Sequence, residues 1–190
     1  MPRKSIAHET QHAFDLYANA YTVIQEPHRM SHDGFMFHAS GKQLAIANGA
    51  DADFLMSVPA GAYPHVQRVR LDTEAGDIDL KMYEGVTTSA DGSALPVQNV
   101  NRNSSLTPDA AIFGGPTVTD LGTLFHTHWV PPTGAGVGSS TGVMDISAFG
   151  EEWILAPATK YLFRITNNSG GALDLRWEFV WYEIGGDSEL

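Results

Sequence analysis

Residues 159–184 read TKYLFRITNNSGGALDLRWEFVWYEI, and the fold turns on how this stretch is read. Tyr161, Phe163 and Ile165 alternate with Leu162, Arg164 and Thr166. After a short break, Leu173, Leu175, Trp177, Phe179 and Trp181 alternate with Asp174, Arg176, Glu178, Val180 and Tyr182. A period of two sends successive side chains to opposite faces of a strand. Helical spacing would instead scatter Asp174, Arg176 and Glu178 around an axis. Between the runs, Asn167-Asn168-Ser169-Gly170-Gly171 supplies residues that tolerate positive φ. The pattern predicts two long antiparallel strands joined as a hairpin. Trp177, Phe179 and Trp181 make its core face, and aromatics of this size bury enough apolar area to anchor a domain.

The same texture continues upstream in shorter pieces. Phe35, Phe37 and Ala39 alternate with Met36 and His38, and Leu44, Ile46 and Asn48 suggest a second short strand. DFLMSV at 53–58 is a buried-type run stopped by Pro59-Ala60-Gly61. A strand over 65–73, the turn Glu74-Ala75-Gly76 and a half-buried strand over 77–83 predict another hairpin. LGTLFHTHWV at 121–130 and EEWIL at 151–155 are also strand-like. The spans 85–120 and 131–149, rich in Thr, Ser, Asn, Pro and Gly, read as two long loops. About eight to ten short strands, with no helices between them, predict an all-β fold: a jelly-roll-like antiparallel β-sandwich over 31–190. Residues 1–30 stand apart as an N-terminal arm or short helix. Phe14, Tyr17, Tyr21 and Ile24 recur there at helical spacing, and an extended arm that orders on a partner is the other reading.

Composition narrows the function classes. The 190 residues suit one domain, and a hydrophobic content of 43% is ample for its core. Charged residues are only 17%, so much of the surface is Ser, Thr, Asn and Gly or lies against a partner. A net charge of −11 argues against nucleic-acid binding, which depends on Lys and Arg neutralising phosphates. Cysteine is absent, which removes disulfides and thiolate zinc sites. MPRKSIAHETQHAF lacks the apolar core of a signal peptide, and no apolar run is long enough for a membrane helix.

Histidine is the residue type that most suggests chemistry. His126-Thr127-His128 on a strand would point both imidazoles one way and resembles half of a cupin metal motif. The Glu that should follow is missing from Val130-Pro131-Pro132-Thr133-Gly134, so a strand edge with two imidazoles is the stronger reading. His8 and His12, and His28 and His32, are spaced i,i+4 and could chelate a metal if helical. Neither pair has a third ligand at matching spacing, so a solvated or assembly face, tunable near neutral pH, is expected instead. Gly138-Ser139-Ser140-Thr141-Gly142 matches a nucleophile elbow by letter, without the strand and helix that elbow needs. Asp77 and Asp79, and Glu151 and Glu152, are what any acidic protein carries. The expectation is no catalytic residue, no metal and no cofactor.

Several segments, taken in order, resemble a family of tailed-bacteriophage virion proteins that decorate or cement the capsid. They are EPHRMSHDG at 26–34, DFLMSVPA at 53–60, IDLKMYEG at 78–85, NVNRNSS at 99–105, PTVTDLGTLF at 116–125 and WILAPATKYLFRITNNSGGALDLRWEFVWYEI at 153–184. The resemblance implies a non-enzymatic structural protein. It would be made in the host bacterial cytoplasm and seated on the outer capsid surface, as a homotrimer bridging major capsid protein subunits, with no nucleic-acid or membrane partner. Interface residues are then expected in the arm (Phe14, Tyr17, Tyr21, Ile24), in the loop at Asn101, Arg102 and Asn103, and in 131–142. A tail or neck position, or a surface-displayed glycan-binding module using Trp129, is the alternative.

Overall fold

The computed structural model describes residues 12–15, 20–23, 26–73, 77–131, 142–145 and 152–185. The elements follow in chain order as β1 (His12–Asp15), β2 (Ala20–Val23), α1 (Glu26–Asp33), β3 (Met36–Ile46), β4 (Asp51–Val58), β5 (Ala62–Thr73) and β6 (Ile78–Glu84). Five short strands come next: β7 (Thr87–Ala90), β8 (Ser93–Ala94), β9 (Gln98–Asn99), β10 (Ala111–Gly114) and β11 (Thr117–Asp120). The last are β12 (Thr123–Val130), β13 (Gly142–Asp145), β14 (Trp153–Ile154), β15 (Thr159–Asn167) and β16 (Leu173–Gly185).

Two antiparallel sheets face each other. One has the order β13-β5-β16-β3-β9, with β14 also on β5, and the other β12-β6-β15-β4-β10-β8. The chain steps between sheets at β3–β4, β4–β5, β5–β6 and β15–β16. This is a jelly roll, in which sequence neighbours lie in opposite layers. The two predicted hairpins are therefore corrected, although their strands are present. β15 pairs with β4 and β6, whereas β16 pairs with β3 and β5. β5 and β6 likewise belong to different sheets. Periodicity fixes which face of a strand is apolar; it does not fix the partner. The five residues 168–172 can also step the roughly 10 Å between packed sheets.

The step at 168–172 is fastened from inside. The fully buried Asn167 carboxamide donates to the carbonyls of Ile46 (2.8 Å) and Gly171 (2.7 Å), and its oxygen accepts the Ser169 N–H (2.9 Å). The Gly170 N–H donates to Asn48 Oδ1 at 2.8 Å, tying this arch to the one between β3 and β4. Phe163 of β15 then meets Phe179 of β16 across the sandwich, ring centroids 5.0 Å apart. Trp177, Phe179 and Trp181 are buried in this core with Phe37, Phe54, Leu71 and Met82.

Each sheet also has a partial outer cover. Val86, Val118 and Leu121 pack with Leu55 and Leu162 on the outside of one sheet, where β7 and β11 form a two-stranded ribbon. On the other, Met30 of α1 packs with Met36 and Tyr182. The span 85–120 is thus no continuous loop, because it holds β7 to β11. Strands of two to four residues are too short for a period to register. β3 is one strand rather than two, with an irregular register opposite β16 and Ala45 at φ 53°. Of EEWIL, whose Glu151 lies outside the described residues, Trp153 and Ile154 form strand.

The N-terminal helix lies later than the Phe14–Ile24 spacing predicts. β1 and β2 pair antiparallel with Phe14 opposite Tyr21, in keeping with the weak helix propensity of Thr, Tyr and Val. Tyr17 and Ile24 lie outside the described residues, as do 132–141 and 146–149 of the predicted second loop. The helix is α1, with Glu26 in its first turn and His32 in its last, which suits the macrodipole. Arg29 links Glu26 and Asp33 along its surface. No helix among the described residues is long and apolar enough to cross a membrane.

Candidate functional site

The segment 98–106 follows α1 in space although it lies some seventy residues later in sequence, and it is built from side chain to backbone bonds. Asn99 Nδ2 donates to the carbonyls of Gly34 (2.6 Å) and Leu106 (3.1 Å), while its Oδ1 accepts the Asn101 N–H (2.9 Å). Asn101 repeats the device one step on: Nδ2 donates to the His32 carbonyl (2.7 Å) and Oδ1 accepts the Asn103 N–H (3.1 Å). These are Asx turns, which short amide side chains make readily. The Val100 N–H adds a bond to the Met36 carbonyl at 2.9 Å. Gly34, at φ 82°, faces Ser104 so closely that a Cβ there would run into its side chain.

Of the loop residues expected at an interface, Asn101 is half-buried and braces the loop onto α1, whereas Arg102 and Asn103 are exposed. Arg102 reaches Gln98 Oε1 at 3.1 Å. Phe35, Val100 and Leu106 expose apolar side chains beside this polar stretch. The arm residues Phe14 and Tyr21 are opposed in the β1–β2 pair that precedes α1 in the chain.

The root of the loop is held by Glu183, to which no histidine or motif pattern points. Glu183 is buried, and its carboxylate accepts the N–H groups of Asp109 (2.6 Å) and Ala110 (3.1 Å) and Trp181 Nε1–H (2.9 Å). Burial pushes its carboxyl up from the ordinary value, against the pull of the three donors. The signal was in the pattern: Glu183 continues the odd-numbered core face of β16 beyond Trp181. A carboxylate on a core face needs donors to satisfy it.

Other polar clusters are struts. Glu152 accepts from Tyr182 Oη–H (3.0 and 3.1 Å), from Gln67 Nε2 and from His65 Nδ1 (3.1 Å), with His65 and Tyr182 stacked 4.5 Å apart. Burial and then this carboxylate push the Tyr182 phenol well above its usual range. A groove of about 340 Å³ opens on the outer face of the β3–β16–β5 sheet, lined by Gly41, Arg70, Asp72, Arg176, Trp177 and Glu178. Arg70 pairs with Asp72 at 3.2 Å and Arg68 approaches Glu178 at 3.8 Å, so its charges are largely balanced along the strands.

His126 and His128 lie on β12, the edge strand of their sheet. Burial, then the neighbouring His128, lowers the His126 pKa, and its buried Nε2 has no partner among the described residues. No group of three His, Asp or Glu suited to a metal occurs among the described residues. Trp129 stands on the outer face, 55% exposed, with its indole N–H donating to Asp77 Oδ1 at 3.0 Å. Asp79 is held by Asn168 at 3.2 Å. His8 and Gly138-Ser139-Ser140-Thr141 lie outside the described residues. The sequence was compared with known proteins, and neither a protein-family model nor a curated protein matches it.

Proposed function

We propose that this protein is a structural virion protein, a capsid decoration or cement protein that stabilises an assembled phage head by bridging major capsid protein subunits. The observation that carries the reading is the braced loop at 98–106. Its backbone is fixed by Asn101 on α1 and by Asn99 on Gly34 just beyond it, while Val100, Arg102, Asn103 and Leu106 face outward. A contact surface ordered before it meets a partner loses little entropy on docking. Arg among amide side chains, with apolar residues at the margin, is the chemistry of a specific protein contact.

The rest of the reading adds to that loop. The jelly roll is a rigid core whose peripheral segments are free to make contacts. A homotrimer would multiply weak contacts into avidity on a symmetric lattice. An acidic surface suits the outside of a DNA-filled shell. Phage heads assembled without this protein, then supplied with the purified chain, test the reading. Decoration raises the temperature at which the heads release DNA, and imaging finds the protein at fixed sites on the outer surface. Heads equally heat-resistant with and without it would sink the proposal.

Trp129 favours a second reading. A half-exposed indole held edge-on by Asp77, near Asp79 and Asn168, is a platform on which a sugar ring can stack while carboxylates and amides take its hydroxyls. On this reading the protein is a displayed glycan-binding module on a head, tail or neck. Glycan-array binding that disappears in Trp129→Ala supports it; an array silent with the parent protein rejects it.

A further inference from the structure

We propose that His28 and His32 together chelate one divalent transition-metal ion on the surface of α1, of the kind that takes imidazoles in cis positions, Cu²⁺ or Ni²⁺. The two Nε2 atoms stand 3.0 Å apart on successive turns, joined by a hydrogen bond that one ring donates and the other accepts, with ring centroids 4.6 Å apart and planes at 62°. Imidazole nitrogens lie about 2.0–2.1 Å from such ions, so two of them subtending a right angle are about 2.9 Å apart, and about 3.3 Å at a tetrahedral angle. The observed separation fits the right angle of tetragonal coordination. Both residues are exposed and their Nε2 atoms meet, so an ion enters by replacing the hydrogen bond between them, each ring then keeping its proton on Nδ1, and displaces no packed side chain.

The surroundings favour a cation. Arg29, the one basic neighbour between the two histidines in sequence, is occupied by Asp33 at 2.9 Å and by Glu26 at 3.2 Å. Its charge is thereby met within the helix, and the whole chain carries −11. The remaining coordination positions go to water, since no third His, Asp or Glu joins the pair among the described residues. A bound ion would cross-link one turn of the helix that covers Met36 and Tyr182. The same helix presents the His32 carbonyl to Asn101. Binding to the folded state alone stabilises that state, so the site would also stiffen the loop at 98–106. The chelate stands on the α1 geometry alone and is independent of what the loop contacts.

The test titrates the tag-free full chain with CuCl₂ and with NiCl₂, by calorimetry and by thermal melting. One ion per chain binds at this site and raises the melting temperature. His28→Gln/His32→Gln weakens binding at least about tenfold, the lower bound seen when even an outer-shell partner is lost, and abolishes the rise. The metal-free melting temperature of that variant stays at the parent value, because both rings are exposed. His8→Gln/His12→Gln keeps both the binding and the rise. The proposal is overturned if the parent shows no metal-dependent rise, if the His28/His32 variant titrates like the parent, or if the His8/His12 variant loses the effect.

Discussion

Glu183 shows how one residue joins the sandwich to its exposed loop. Three donors converge on a carboxylate at the end of the core face, and two of them are backbone N–H groups of residues 109 and 110. Replacing it by Ala leaves buried donors without an acceptor, at a cost of about 1–3 kcal/mol. Its folded-state pKa is raised above 4.5. Below that pH both folded and unfolded forms are protonated, and the stabilising contribution is whole. As pH rises through the folded value, the folded state alone must give up a buried proton, and the contribution is lost. Denaturant melts of the parent should therefore show a decline in stability above pH 4.5 that Glu183→Ala lacks; parallel profiles would show that burial does not govern this group. Phe179 is the simpler case. It is 0% exposed and touches Phe54, Phe163 and Trp177. Phe179→Ala should cost roughly 3–5 kcal/mol, and an unchanged melting temperature would remove it from the centre of the core.

At the scale of elements, strands were legible and their partners were not. Leu173 to Trp181 and Tyr161 to Ile165 announce strands because each has one face to bury, and both are strands in the fold. The Asn/Gly break at 167–171 looks the same whether the chain turns back beside itself or steps to the facing sheet. What separates the two is tertiary: Asn167 reaches Ile46, and Asn48 reaches Gly170, contacts more than a hundred residues apart in sequence. The chemistry of the loop at 98–106 was visible as an Asn-rich stretch, and Arg102 was singled out from it. Its seat on α1 was not, because nothing local ties Asn101 to His32. Asn167→Ala tests the arch. It removes the donor from two carbonyls and the acceptor from the Ser169 N–H, in a buried setting, for about 1–3 kcal/mol. Amide exchange at 168–172 should speed up more than at β12, which the arch does not touch; uniform acceleration would mean that Asn167 serves the whole fold rather than the crossing.

For the whole molecule, the division between a buried frame and a braced exposed loop makes stability and assembly separable. Among the described residues the Arg102 side chain hydrogen-bonds only to Gln98, at the surface. Surface substitutions away from caps and buried networks change stability by no more than about 0.5 kcal/mol, so Arg102→Ala should melt with the parent. If the loop is the contact through which the protein seats on a capsid, the same change removes an anchor whose loss at a desolvated contact costs about 2 kcal/mol or more. Repeated over a symmetric set of sites, that deficit is amplified by avidity. The expected result is a fully folded variant that co-sediments poorly with undecorated heads. Phe179→Ala should show the reverse order of effects, since any surviving folded fraction keeps an intact loop. Arg102→Ala that seats as tightly as the parent would direct attention away from this loop, to the arm at Phe14 and Tyr21 or to Trp129.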